Sequence, residues 1–177
     1  MLAVDQAGNK LLDFIKITEE DAALQFSQVS VCLLVVKIGE DYLMGFNHWR
    51  KCWEIFGGCP EEGETMREAM VREAKEELGI DCEPQWLGLA HFEMQPDYFS
   101  NEVREEYGAI FGVSLSEEYL EQIEKSRIDR DEVERIALLS DISSDEEIRE
   151  LDRKLTEFYI NYSIRELRQD ETDANEA

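Results

Sequence analysis

The chain has few basic residues and no long hydrophobic segment. Lysine and arginine number 18 against 42 aspartates and glutamates, which gives a formal net charge of −24. A surface of that sign repels nucleic-acid backbones and anionic membranes, so we expect neither a nucleic-acid polymer nor a membrane as a partner. No apolar run approaches the ~18 residues that a membrane-spanning helix needs. The first ten residues, MLAVDQAGNK, lack the basic start and apolar stretch of a signal peptide.

Histidine, proline and paired cysteines are also scarce. There are two histidines, three prolines and four cysteines, and no two cysteines form a C-x-x-C pair. We therefore expect no zinc site and no disulfide framework, and the cysteines are typical of reduced thiols in the cytoplasm. Hydrophobic residues still make up 43% of the 177 residues. This is enough for a folded core, so we expect one domain over 1–177 with an acidic tail at about 169–177.

What the sequence does contain is a glycine turn followed by a helix with clustered carboxylates. Residues 57–80 read GGCPEEGETMREAMVREAKEELGI. Glu73, Glu76 and Glu77 are three and four residues apart, so they share one face of the helix. Carboxylates this close repel one another unless a cation lies among them. Oxygen-only clusters suit Mg²⁺, which also binds phosphate oxygens, so the pattern predicts a metal site for a phosphate-bearing substrate.

The same stretch resembles the Nudix box. That signature is Gly, five residues, Glu, seven residues, then Arg-Glu-aliphatic-any-Glu-Glu-any-Gly-aliphatic. Every fixed position is present at the correct spacing, from Gly58 and Glu64 through the run 72–80, with Ala74 as a small aliphatic residue. The resemblance implies a MutT-like Nudix hydrolase that cleaves phosphoanhydride bonds. It also implies an α/β (α+β) fold, an α/β/α sandwich around a mixed β-sheet, which the alternation of strands and helices also favours.

The resemblance further implies roles for the box residues. A divalent metal, Mg²⁺ or Mn²⁺, would be held by the helix carboxylates and a loop carbonyl, namely Glu73, Glu76, Glu77 and Gly57. Arg72 and Glu64 would form an ion pair that braces the loop against the helix. The general base differs among Nudix enzymes and stays open. Glu132 and Glu106 are the first candidates, ahead of Glu102, Glu105 and Asp131 and of a glutamate within the box.

Residues outside the box suggest where a nucleotide would bind. His48, Arg50 and Lys51 form a small cationic group that could meet a phosphate, although an ordinary solvated loop explains the same pattern. Tyr98, in the polar loop 95–105, could stack on a base. Pro96 lies 16 positions beyond the box and resembles the ADP-ribose group of the family, while Tyr98, at 18, resembles the dinucleoside polyphosphate group. These two hints leave the substrate open.

The expected function is a Mg²⁺-dependent pyrophosphohydrolase acting on a small nucleotide. It would cleave a nucleoside diphosphate linked to another moiety, such as a nucleoside triphosphate or an ADP-ribose-like compound, to a nucleoside monophosphate. One alternative is a non-catalytic Nudix-fold module with a nucleotide-binding or regulatory role. Another is isopentenyl diphosphate isomerase, although the box has the hydrolase spacing. The apolar side of the C-terminal helix suggests a homodimer, but it could equally cover the protein's own sheet.

Periodicity and turn residues predict the elements. Strands are expected at 11–17, 29–39, 41–46, 52–56, 86–94, 106–115 and 133–140. The box helix should begin after Thr65, which forms a capping box with Glu68, and end at Gly79. Its apolar stripe should comprise Met70, Val71, Ala74 and Leu78. Further helices are expected at 116–127 and 144–168, with a helix or acidic turn at 18–26.

Overall fold

A computed structural model describes residues 1–160 of the protein. Nine strands are defined in this part of the chain: β1 Ala3–Val4, β2 Lys10–Ile15, β3 Val29–Ile38, β4 Asp41–Asn47, β5 Cys52–Glu54, β6 Phe56–Gly58, β7 Gln85–Met94, β8 Arg104–Leu115 and β9 Val133–Leu138. Three helices are α1 Glu19–Gln25, α2 Met66–Leu78 and α3 Tyr119–Ser126. A 3₁₀ turn, Leu139–Asp141, follows β9, and a fourth helix, α4, covers 150–160.

The strands form one mixed sheet. Their order is β1-β2-β7-β8-β3-β4-β5, with β6 added beside β3 and β9 beside β4. The central pair β3 and β8 is parallel, whereas β3 is antiparallel to β4 and to β6. Long β-branched and aliphatic runs in β3 suit this buried central position. The mixed sheet predicted from the sequence is confirmed.

Helices cover both faces of the sheet. Side chains of β3 alternate between the faces, so that Leu34 and Val36 contact the cluster formed by α1, α2 and α3. Val35 belongs to the opposite cluster, where α4 contributes Leu151 and Leu155. This alternation follows from the two-residue period of a strand. The predicted three-layer sandwich is confirmed, and no helix within residues 1–160 is long and apolar enough to cross a membrane.

The box helix α2 has the predicted ends. Thr65 and Glu68 form both hydrogen bonds of the capping box, and Gly79 ends the helix in the left-handed conformation with φ of 68°. Its N–H donates to the carbonyl of Lys75 at 3.0 Å. The stripe is also as predicted in Met70, Ala74 and Leu78, which are fully buried, but the inclusion of Val71 was wrong because 38% of that residue is exposed.

Two predicted boundaries are wrong for the same kind of reason, namely backbone pairing across the chain. The stretch 52–56 is two short strands, and the double glycine lies inside β6, because β6 pairs with β3 from Cys32 to Leu34. The last helix begins at 150 rather than 144. Before residue 150 the chain runs beside Trp53. The N–H of Trp53 donates to the carbonyl of Glu147, and the carbonyl of Trp53 accepts the N–H of Arg149. The predicted end of that helix and the tail 169–177 lie outside the described residues.

Candidate active site

Strand β6 and helix α2 bring the double glycine against the box glutamates. The N–H of Gly57 donates to Oε2 of Glu77 at 2.7 Å. A β-carbon on Gly57, where φ is +138°, would lie 2.0 Å from the carbonyl oxygen of Cys32, and one on Gly58 would lie 2.4 Å from Oε1 of Glu73. Gly57 therefore needs to be glycine because of the neighbouring strand, whereas a side chain at Gly58 would displace the Glu73 carboxylate.

Arg72 lies at the centre of the carboxylates and contacts several of them. Its guanidinium binds Glu64 through two hydrogen bonds of 2.8 and 3.1 Å. It also donates to Glu73 at 2.7 Å and lies 3.5 Å from Glu76. Hydrogen bonding to Arg72 holds the pKa of Glu64 below its ordinary value. The expected bracing pair is present, and the same arginine partly neutralises the helix face.

Two box carboxylates are buried where their charge is unfavourable. Glu77 is 4% exposed, and burial raises its pKa well above the ordinary value, with further increases from Glu73, Glu132 and Asp129. Burial also raises the pKa of Glu73. The hydrogen bond from Arg72 lowers this pKa, but by less than burial raises it. Desolvation and like charges both favour the protonated form. A cation among these groups would restore the charged form.

The donor set fits a divalent metal in its chemistry. Glu73, Glu76 and Glu77 supply the carboxylate oxygens that Mg²⁺ and Mn²⁺ prefer, and two of the three are desolvated by the protein. Within residues 1–160, however, no three acidic, histidine or cysteine side chains converge as a group that could hold a metal ion. Glu77 is bonded to the Gly57 amide and Glu73 to Arg72, and Glu76 is half exposed. The carboxylates are neighbours, but they are not assembled as ligands.

The two base candidates lie in different surroundings. Glu132, just before β9, is close enough to Glu73 and Glu77 to raise the pKa of both. Glu106, in β8, accepts hydrogen bonds from Arg104 at 2.6 Å and from Ser30 at 3.0 Å. Glu132 thus adds to the raised pKa of the two buried glutamates, whereas Glu106 is engaged in its own ion pair.

The cationic group ahead of the glycines is largely paired with carboxylates. Arg50 binds the buried Glu54 through bonds of 2.6 and 2.9 Å, and this interaction raises its pKa. Nδ1 of His48 lies 3.1 Å from Glu134 and 3.4 Å from Nζ of Lys51. Arg50 also lies 3.9 Å from Glu132. This group therefore borders the carboxylates, but its charge is already shared with acidic partners.

Tyr98 lies at the tip of the 95–105 loop, where 97% of the residue is exposed. It makes an edge contact with Phe99 at 5.6 Å between ring centroids. Asp97 holds the tip by accepting the N–H groups of Phe99 and Ser100 and two hydrogen bonds from Arg104. Since Arg104 also binds Glu106, one arginine connects the aromatic tip with a base candidate.

Sequence reasoning missed two polar residues beside this site. Asp129 contributes to the raised pKa of Glu77, and Asn47, which is buried, donates to Glu132 at 3.4 Å. Asp129 could have been found, because an aspartate in a predicted turn commonly accepts backbone N–H groups of the residues that follow it. Asn47 gives the same signal, since its Oδ1 accepts the N–H groups of Trp49 and Arg50, both at 2.9 Å, but its contact with Glu132 depends on the pairing of β4 with β9.

Comparisons with known proteins agree with this geometry. A family model described as NUDIX domain matches residues 27–159. The NAD-capped RNA hydrolase NudC of Photobacterium profundum is 27% identical over 110 residues, a match that covers 53% of this chain and 40% of that protein. The chain thus matches less than half of that relative's length.

Solved structures show the same fold. The Bacillus subtilis pyrophosphohydrolase BsRppH is similar with a TM-score of 0.57 at 16% identity, covering 95% of this chain and 96% of that one. The NUDIX domain of Shewanella oneidensis NrtR, complexed with ADP ribose, has a TM-score of 0.57 at 13% identity, covering 82% and 99%. A MutT NUDIX hydrolase from Burkholderia pseudomallei has a TM-score of 0.54 at 19% identity, covering 73% and 97%.

Proposed function

Since the chain belongs to the NUDIX domain family, we propose that it is a Mg²⁺- or Mn²⁺-dependent pyrophosphohydrolase of small nucleotides. The observation that carries the proposal is the complete box folded around buried carboxylates. Glu73 and Glu77 have raised pKa values because burial and neighbouring acids disfavour their charge. Clustered buried carboxylates with perturbed pKa values are typical of functional sites. The named relative is also a hydrolase, in agreement with the enzyme class that the box predicts.

The residues have distinct roles in this proposal. Glu73, Glu76 and Glu77, with a contribution from Gly57, would hold the metal. When bound, the metal polarises phosphate oxygens and makes a coordinated water more acidic. Arg72 orients Glu73 and ties the loop to α2 through Glu64. Glu132, whose charge acts on the buried Glu73 and Glu77, would accept a proton from the attacking water.

The substrate would be a nucleoside diphosphate linked to a further group. Cleavage by water at the phosphoanhydride would leave a nucleoside monophosphate. A groove of about 710 Å³ borders Glu64 and is lined in part by Phe26 and Met66, which offer apolar and aromatic surface to a base. Exposed Tyr98 would supply a second aromatic surface, and Arg50 and Lys51, next to His48, would supply local positive charge. Nucleoside triphosphates and ADP-ribose-like compounds both satisfy this description.

A turnover assay with a nucleotide panel tests the function. The panel should contain nucleoside triphosphates, oxidised triphosphates, ADP-ribose and NAD, each with Mg²⁺, and released phosphate species should be measured. We expect a nucleoside monophosphate as product and loss of turnover in excess EDTA. Glu76→Gln should reduce turnover at least ~100-fold with the fold intact, as expected when transition-state stabilisation is removed. Full activity in EDTA would contradict the proposal.

Isotope labelling identifies the bond that is cleaved. In ¹⁸O-water, cleavage of the phosphoanhydride should place the label in the nucleoside monophosphate or in the other phosphorylated product, and not in orthophosphate alone. Label only in orthophosphate would contradict cleavage to a nucleoside monophosphate, whereas no hydrolysis across the panel would favour the alternative of a nucleotide-binding module. Saturable nucleotide binding without turnover would then be the expected result. Arg72, which already compensates Glu73 without a metal, is the observation that favours this alternative.

A cytoplasmic location belongs to the same proposal. All four cysteines, Cys32, Cys52, Cys59 and Cys82, are free thiols. Free thiols are typical of reducing compartments, where disulfides rarely persist.

A further inference from the structure

The segment 127–132 connects α3 to β9 and rests on the last turn of the box helix. The carbonyl of Glu76 accepts the N–H groups of Ile128 at 2.9 Å and Asp129 at 2.8 Å. A β-carbon on Gly79 would lie 2.1 Å from the backbone of Ser126. Gly79 thus ends α2 and also leaves room for the chain that enters this segment. The helix that carries the box glutamates is therefore the support of the 127–132 segment.

The start of the segment is fixed from inside the protein. Arg127 is 5% exposed, and its guanidinium donates to the carbonyls of Val133 at 2.6 Å and Glu134 at 3.1 Å. Buried guanidinium groups are retained where they satisfy hydrogen-bond acceptors. The two hydrogen bonds of Arg127 close the segment into a loop, because they join its first residue to the first residues of β9. Between these two points Ile128 and Asp129 are bonded to Glu76 and Arg130 to Glu124, so the remaining freedom lies at Asp131 and Glu132.

Asp129 removes that freedom by bonding the backbone inside the loop. Its Oδ1 accepts the N–H groups of Asp131 and Glu132, both at 3.0 Å. The carbonyl of Glu132 in turn accepts the N–H of His48 at 2.8 Å. The backbone of Glu132 is therefore held on both sides, by Asp129 and by the turn after β4. Its carboxylate is directed toward Asn47 at 3.4 Å.

We propose that Asp129 is a positioning residue for Glu132, whose backbone it holds at the end of the segment that rests on α2 by accepting the Glu132 amide hydrogen. Asp129 acts on Glu132 through an oxygen that accepts backbone N–H groups, rather than through its charge or through contact with substrate. The consequence for turnover rests on the proposed function, in which Glu132 accepts a proton. The consequence for the segment itself depends only on the hydrogen bonds.

Two substitutions of Asp129 separate the acceptor from the charge. Asp129→Asn keeps Oδ1 as an acceptor and removes the charge, whereas Asp129→Ala removes both. Amide hydrogen exchange should therefore be faster at Asp131 and Glu132 in Asp129→Ala and close to wild type in Asp129→Asn. Thermal melts of both variants separate a loosened segment from a lost fold. Faster exchange to the same extent in both variants, or in neither, would overturn the proposal.

Turnover provides the second readout. Asp129→Ala should lower kcat at least ~10-fold with KM changed less than ~3-fold, because misplacing a catalytic group by about 1 Å is costly, and Asp129→Asn should retain most activity. In a Glu132→Gln background Asp129→Ala should cause no further loss, since residues that act as a unit are not additive. An additive loss would show that Asp129 does not act through Glu132. A wild type that hydrolyses no compound contradicts the proposed function, while hydrogen exchange still decides whether Asp129 holds the segment.

Discussion

At the scale of single residues, Glu77 is the box carboxylate whose charged form is most disfavoured by burial. It is buried, it accepts the Gly57 amide, and it faces the acids Glu73, Glu132 and Asp129. The hydrogen bond favours the charged form, but burial and the three acids favour the protonated form, and the pKa rises. Without a metal, the fold is therefore stabilised by a proton on Glu77.

Replacing Glu77 by glutamine should make this effect measurable. The folded pKa lies above the unfolded value of about 4.3, so the stabilising contribution is complete below that value and is lost as pH rises through the folded pKa. Glu77→Gln stays neutral and can keep the acceptor for Gly57. In EDTA, its free energy of unfolding relative to wild type should increase as pH rises above the unfolded value of about 4.3. Urea unfolding of both proteins across this range measures the difference.

The same substitution should affect metal and activity in the opposite direction. Glu77→Gln should cut turnover at least ~100-fold and abolish the stabilisation that Mg²⁺ gives to the wild type. Thr65→Ala, which loses a helix cap outside the carboxylate cluster, serves as control and should cost about 1 kcal/mol at every pH. A difference between Glu77→Gln and wild type that does not change with pH would contradict the assigned burial of charge.

At the scale of elements, β6 is where the fold and the site meet. It pairs with β3 through residues 56–58. Gly57 lies against β3, and Gly58 lies against α2. Gly57 has φ of +138° and lies against the backbone of Cys32, whereas Gly58 lies against the flexible end of Glu73. Adjacent glycines thus satisfy different requirements, one of the backbone and one of the site.

Alanine substitutions should separate these two requirements. Gly57→Ala should destabilise the fold by about 3 kcal/mol or more, because its β-carbon meets backbone and φ is unfavourable. Gly58→Ala should leave most of the stability, since the Glu73 carboxylate can move away, but turnover should fall at least ~10-fold. Chemical unfolding and steady-state kinetics on both variants test this. Equal loss of stability in the two variants would contradict the distinction.

At the scale of the whole molecule, the C-terminal helix covers the sheet. Leu151, Leu155 and Tyr159 are buried in the cluster on that face, and Phe158 stacks on Phe14 at 4.2 Å. The apolar side that suggested a homodimer is thus used within the protein over the described residues. A dimer would therefore need another surface, and the net charge of −24 opposes close approach of two copies at low salt.

The homodimer prediction can be tested by light scattering. A dimer should have twice the 20.6 kDa mass of one chain at micromolar concentration, and pairing should strengthen with added salt because screening weakens repulsion. Leu151→Ala is the useful control. This residue lies in the intramolecular core, so the substitution should lower stability by about 2–5 kcal/mol without changing the mass. A mass of 20.6 kDa at low and high salt would contradict the dimer.

The sequence by itself determined the family, the class of fold and the form of the box helix. These features depend on local spacing: three glutamates on one helical face, a capping box from Thr65 to Glu68, and a left-handed glycine at 79. Strand alternation also places neighbouring residues of β3 on opposite faces. Such rules act over a few residues, so the order of residues is sufficient to apply them.

Only the tertiary structure decided which distant residues join the box. Glu132 is held near the end of α2 because β9 pairs with β4 and because Glu76 supports the 127–132 segment. Arg50 binds Glu54 rather than standing free, and the double glycine lies in a strand because β3 is its partner. With 42 acidic residues in the chain, spacing cannot select the few that share a buried site. Burial and long-range backbone pairing make that selection.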